Sequence, residues 1–81
     1  MTTKNLLLGL GREIRERRRQ HHLSQESLAF GAGLHRNVIG RLERGVLNPS
    51  VHTLFAIAVQ LKVPLSELIA ATERRTHQTL M

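Results

Sequence analysis

The sequence has no cysteine, so neither a disulfide nor a thiolate metal site holds the chain together. It has no tryptophan or tyrosine and only two phenylalanines, which excludes an aromatic stacking platform for single-stranded nucleic acid. Its longest apolar run falls far short of the roughly 20 residues that span a bilayer, so no membrane partner is expected. Residues 1–11 lack a basic stretch followed by an apolar segment and a cleavage site, so no export signal is read there. The expected location is the cytoplasm. Acidic side chains are scarce too, six against twelve lysines and arginines.

What is present is enough for one domain with one modest core: 81 residues, 41% of them apolar. The formal charge is +6 and the sequence pI about 11.6. Such a balance favours a polyanionic partner, although it also serves solubility. The cations cluster in residues 12–19 and 36–44, and that clustering is what points to nucleic acid.

The most informative stretch is residues 24–45. It reads as a short helix, a glycine-bearing turn at Gly33, and a second helix with basic and amide side chains on one face. Two helices joined by so few residues cross steeply, which calls for one permissive backbone position and small residues at the contact. Gly33 suits the turn and Ala29 the close approach. Leu28, Leu34, Ile39 and Leu42 have the spacing that buries both helices on a common core. A plain helical hairpin shares this spacing. The polar face of the second helix is what favours a double-stranded DNA reader entering the major groove.

Around it the chain reads as all-α, a compact five-helix domain without strand pattern or repeat. The first helix covers about residues 7–21, with Leu10 and Ile14 inward and Arg12, Arg15, Arg18 and Arg19 outward. Ser24 caps the second helix, which carries Glu26 in its first turn and ends near Gly31. The third covers about residues 36–44 and stops at Gly45. Ser50 caps a fourth over residues 51–61, and Pro64 opens a fifth to about Thr72. This divides the chain into an arm (1–6), a helix-turn-helix domain (7–72) and a polar, basic, frayed tail (73–81).

From Leu10 to Ile69 the chain resembles the lambda-repressor/Cro-like, or XRE-like, helix-turn-helix family. The matching motifs are Leu10-Gly11-Arg12-Glu13-Ile14-Arg15, Leu23-Ser24-Gln25-Glu26-x-Leu28-Ala29, Ala32-Gly33-Leu34, Ile39-x-Arg41-Leu42-Glu43-Arg44-Gly45, Asn48-Pro49-Ser50 and Leu54-x-x-Ile57-Ala58-x-x-Leu61-x-Val63. Each is weak alone; in this order and spacing they are specific. Part of this stretch also looks like the stand-alone regulators related to restriction–modification controller proteins. The resemblance implies a five-helix domain, a homodimer, and a pseudo-palindromic operator.

It also implies roles for individual residues. Arg36, Asn37 and Arg41 occupy the positions where the family reads bases. Arginine grips guanine, and asparagine grips adenine, through paired hydrogen bonds. Gln25 matches a glutamine that meets a phosphate at the start of the second helix and braces the third. Arg44, Asn48 and Ser50 are further phosphate candidates. Arg18 and Glu43 match a pair that bridges the first and third helices, expected here as a partly exposed pair contributing at most about 1 kcal/mol.

Four departures stand out. His35 replaces the usual serine or threonine cap and is expected to cap poorly, leaving it as a further candidate base contact. Arg17 replaces an apolar residue, so its stem is expected to pack while its head reaches water. Gly40 interrupts the third helix at a cost of about 1 kcal/mol relative to alanine. Either it allows close approach to a base, or it is neutral. Phe30 replaces a charged residue and is expected to cover core or meet a partner.

The fourth helix is apolar nearly all round. Leu54, Ile57, Ala58 and Leu61 supply its core stripe, while Phe55, Ala56 and Val59 form a second one. Phe55, Val59, Val63 and Leu65 are therefore the expected homodimer interface, with burial under a tail containing Leu80 as the alternative. No catalytic residue, metal site, cofactor or small-molecule ligand is legible. His21, His22, His35, His52 and His77 lack metal-site spacing with acidic partners, and no nucleophile–base arrangement appears. The rival reading is an antitoxin or protein-interaction module of the same fold. RNA binding is more distant.

Overall fold

The computed structural model describes residues 2–80, with side chains through Thr76, and contains five helices and no strand among them. They are α1 (Thr3–Gln20), α2 (Gln25–Ala32), α3 (Arg36–Glu43), α4 (Val51–Gln60) and α5 (Leu65–Leu80). Each of the first four starts at a side chain that accepts an otherwise orphaned backbone N–H. Thr2 Oγ1 accepts from Asn5 N at 3.1 Å, Ser24 Oγ from Ser27 N at 2.9 Å and Ser50 Oγ from Thr53 N at 3.1 Å. At α3 the cap is His35, whose Nδ1 accepts from Asn37 N at 3.1 Å. The expectation of a poor cap is thus corrected: a neutral imidazole nitrogen offers the lone pair that a hydroxyl would.

The same four helices also stop in one way. Just past each helix one residue donates to the carbonyl five residues back, and the left-handed residue before it donates to the carbonyl one step further along, the Schellman arrangement. The outer bonds are Leu23 N to Arg18 O, Leu34 N to Ala29 O, Val46 N to Arg41 O and Val63 N to Ala58 O, at 2.8–3.1 Å. This ending needs a left-handed residue. Gly33 (φ 71°) and Gly45 (φ 75°) supply it for α2 and α3, but His22 (φ 57°) and Lys62 (φ 56°) must supply it for α1 and α4. A side chain in that conformation is strained by about 1–2 kcal/mol.

Leu10, Ile14, Leu28, Ala29, Ile39, Leu42, Leu54, Ile57, Ala58, Leu61 and Leu68 form one core drawn from all five helices. The Cα radius of gyration, 11.6 Å, matches the value of about 12 Å expected for a fully packed chain of this length. α1 lies against both α3 and α5. At its α3 contact, a Cβ on Gly11 would collide with the carbonyl oxygens of Leu42 and Glu43. Only glycine lets α1 sit directly on the C-terminal end of α3.

Both ends of the chain are more helical than the sequence implies. α1 begins at Thr3 rather than near Leu7, because Thr2 caps it. α5 runs to Leu80 rather than fraying after Thr72. Thr72 and Thr76 are buried, each hydroxyl donating to the carbonyl four residues back at 2.8 Å. Thr76 packs against the bare backbone of Gly9, and Arg75 bonds to Glu13 and Glu16 of α1. A polar segment is thereby docked by satisfied contacts instead of by an apolar stripe. The side chains of His77 and Leu80 lie outside the described residues.

Candidate DNA interface

α3 presents two faces. Ile39 and Leu42 point into the core, while Arg36, Asn37, Arg41 and Arg44 stand in solvent on the opposite side. Asn37 and Arg41 fall one helical turn apart in one row, and Arg36 and Arg44 two turns apart in a neighbouring one. His35 is exposed beside the start of the rows, its Nδ1 committed to the cap. Arg41 and Arg44 meet no carboxylate in any ion pair among the described residues. Arg36 reaches only Glu26 of α2, at 3.5 Å and with both side chains well exposed.

The orientation of this face is set behind it. Arg18 Nε donates to Glu43 Oε2 at 2.6 Å and Arg18 Nη2 to Glu43 Oε1 at 3.0 Å. Arg18 Nη1 donates to the carbonyl of Leu23 at 2.8 Å, and Gln25 Nε2 donates to Glu43 Oε1 at 3.1 Å. One carboxylate therefore joins α1, the start of α2 and the end of α3. The Arg18 and Glu43 side chains are 11% and 4% exposed, so the pair is buried rather than partly exposed. The hydrogen bond to Glu43 raises the Arg18 pKa above its ordinary value, outweighing the opposing effect of burial. Breaking a buried pair leaves an uncompensated charge, an effect of about 3–5 kcal/mol, well above the 1 kcal/mol expected from the sequence.

Nothing in the structure requires glycine at position 40. A Cβ there would lie 3.4 Å from Arg44 Nη1 and 3.7 Å from Gln25 Oε1. Arg44 thus folds back over α3 toward Gln25, and a methyl group would fit in ordinary contact with both. Two of the phosphate candidates are in this way brought together at the rim of the α3 face.

Asn48 and Ser50 are placed differently. Ser50 uses its hydroxyl twice, accepting from Thr53 N and donating to Thr53 Oγ1 at 3.0 Å. Asn48 lines an apolar cleft of about 240 Å³ with Leu7, Leu10, Leu54 and Ile69.

Of the four interface candidates, Phe55 (56% exposed) and Val59 stand in solvent, and Val51 joins them one turn earlier. Val63 and Leu65 instead pack partly buried against the core. Phe30 is 86% exposed, so it covers no core. Arg17 is half-buried, but its head bonds to Glu13 at 2.6 Å and approaches Glu67 at 3.8 Å instead of reaching freely into water. The sequence offered no signal for the Arg75–Glu13 contact, whose partners lie 62 residues apart.

A capped helix, a left-handed glycine turn and a second helix with its cationic face outward make a helix-turn-helix module, and the chain belongs to the helix-turn-helix family. The family model described as Helix-turn-helix matches residues 14–68. The protein is a DNA-binding transcription regulator of the XRE-like, lambda-repressor-like kind. Among its relatives is the control protein C.BamHI of Bacillus amyloliquefaciens, 37% identical over 71 residues, covering 86% of this chain and 88% of that one. The control protein C.SmaI of Serratia marcescens is 35% identical over 69 residues, covering 85% and 82%. Among solved structures, the restriction-modification controller protein C.AhdI from Aeromonas hydrophila superposes with a TM-score of 0.75 at 40% identity, covering 76% of this chain and 94% of that one. Among the described residues no single helix is long and apolar enough to cross a membrane.

Proposed function

We propose that the protein binds a pseudo-palindromic operator as a homodimer in the cytoplasm and controls transcription by that binding, without catalysis. The observation that carries this reading is the outward face of α3, where Arg36, Asn37 and Arg41 share one exposed surface that the fold leaves without buried partners. In the major groove Arg36 and Arg41 grip guanines, Asn37 grips adenine, and His35 offers its second ring nitrogen to a base edge. Gln25 keeps one amide N–H beyond the one spent on Glu43, and it stands at the start of α2, where backbone N–H groups favour an anion. With Arg44 they bind phosphate and fix the register, while Asn48 and Ser50 add contacts at the loop after α3. The names of the relatives extend the proposal: the genes controlled belong to a restriction–modification system.

The exposed row Val51, Phe55 and Val59 on α4, extended by the half-buried Val63 and Leu65, is the homodimer surface in this reading. Two-fold pairing there sets two α3 helices about one DNA turn, ~34 Å, apart. Phe55→Glu is expected to give a monomer by sedimentation; an unchanged dimer moves the interface elsewhere.

Selection from a randomised duplex library tests the whole reading. The expected winner is pseudo-palindromic and bound at least about a thousandfold more tightly than a scrambled duplex. Absence of enrichment, with weak and steeply salt-dependent binding to every duplex, would overturn it in favour of a protein-interaction module such as an antitoxin.

A further inference from the structure

Three arginines of the basic cluster in α1 have no part in the interface described so far. Arg12, Arg15 and Arg19 are exposed and, among the described residues, take part in no ion pair. Their spacing puts them on one face of α1, where like charges one turn apart destabilise a helix. The acids nearest to them are spent elsewhere. Glu13 is held by Arg17 and Arg75, and Glu16 by Arg75. Together with Glu16 and Gln20 the three arginines line a shallow groove.

This row adjoins the α3 face. Gly11, one turn before Arg15, rests on the terminal carbonyls of α3, and Arg18, one turn after it, clamps Glu43. Arg15 and Arg19, and Arg12 beside them, therefore flank the strip of α1 that meets the end of α3, next to the helix that carries Arg41 and Arg44. We propose that these three arginines form a second phosphate track, which takes the sugar–phosphate backbone of the duplex flanking each operator half-site. Guanidinium forks suit phosphate oxygens in paired hydrogen bonds, and α1, which carries the groove, packs on the end of the helix that takes the half-site. The track rests on the placement of α3 in the major groove, and it extends the footprint beyond the bases that α3 reads.

The test compares the full-length chain with Arg12→Gln/Arg15→Gln/Arg19→Gln on the duplex recovered from the randomised library. That duplex is used trimmed to the selected site and extended by about one helical turn, ~10 base pairs, on each side. On the extended duplex the variant is expected to lower the slope of log affinity against log salt by about 0.9 for each lost contact, nearly 3 per subunit, and to weaken binding at low salt at least about tenfold. On the trimmed duplex both values should stay near those of the wild type, and base preference should not change. Arg12→Lys/Arg15→Lys/Arg19→Lys should retain most of the slope, since charge is kept. Equal behaviour of wild type and glutamine variant on the extended duplex overturns the proposal, as does an equal loss on both lengths. If the glutamine variant binds like the wild type yet no longer regulates transcription in vitro, the occupant is an acidic protein and not DNA. A library that yields no winner overturns the operator reading itself, and this track with it.

Discussion

The α3 face and the α1–α5 face are both rich in arginine, yet their arginines do different things. On the α1–α5 face Arg17, Arg74 and Arg75 each meet a glutamate, and the pairs of Arg75 with Glu13 and Glu16 join α5 to α1. On the α3 face, among the described residues, Arg41 and Arg44 meet none and Arg36 meets an exposed one. The same residue type is structural where the fold supplies a carboxylate and available for a polyanion where it does not. Net charge reports the sum of both populations and cannot separate them.

The sharpest way to break this contrast is to cut one pair from each class of arginine contact. Arg18→Gln should destabilise the chain by about 3 kcal/mol in urea unfolding, because it leaves the Glu43 carboxylate buried without its cation. Arg75→Gln, in a more exposed network, should lose about 1 kcal/mol or less. Comparable losses at the two sites would erase the distinction. On the other face, Arg36→Ala and Arg41→Ala should leave unfolding nearly unchanged while each weakens operator binding by about 1–3 kcal/mol and relaxes preference at one base pair. Uniform weakening on every sequence would assign them to phosphate.

Smaller effects sharpen the picture. His22→Gly and Lys62→Gly remove the strain of side chains in left-handed backbone, and each should stabilise by about 1 kcal/mol. For a domain of this size that raises Tm by about 4–8 °C, readable by circular dichroism. Gly40→Ala should add up to about 1 kcal/mol of helix stability and leave DNA binding unchanged, since the new methyl meets Arg44 and Gln25 at ordinary contact distance. Weaker binding by Gly40→Ala would mean that the bare backbone at Gly40 takes part in recognition.

Helix order, caps and core were legible before any coordinates. Ser24 and Ser50 announce helix starts, Gly33 and Gly45 announce left-handed stops, and the 3.6-residue spacing of Leu10, Ile14, Ile39 and Leu42 announces buried faces. These are local signals, carried by residues a few positions apart. His35 escaped as a cap because its lone pair depends on ring tautomer and rotamer, which no residue type declares. Phe30 was ambiguous for the opposite reason. An aromatic side chain fits core or surface equally well, and only the packing of α2 left it in solvent.

By itself the sequence determined an all-α helix-turn-helix chain with a cationic face, because capping, turn chemistry and amphipathic spacing act over one or two helical turns. Only the tertiary structure decided which arginines are spent and which are free. It buried Arg18 against Glu43, 25 residues away, and docked the polar end of α5 through Arg75 and Thr76 onto Glu13, Glu16 and Gly9. Those contacts join residues that no local pattern relates. Their strength comes from burial, which exists only once the helices have packed.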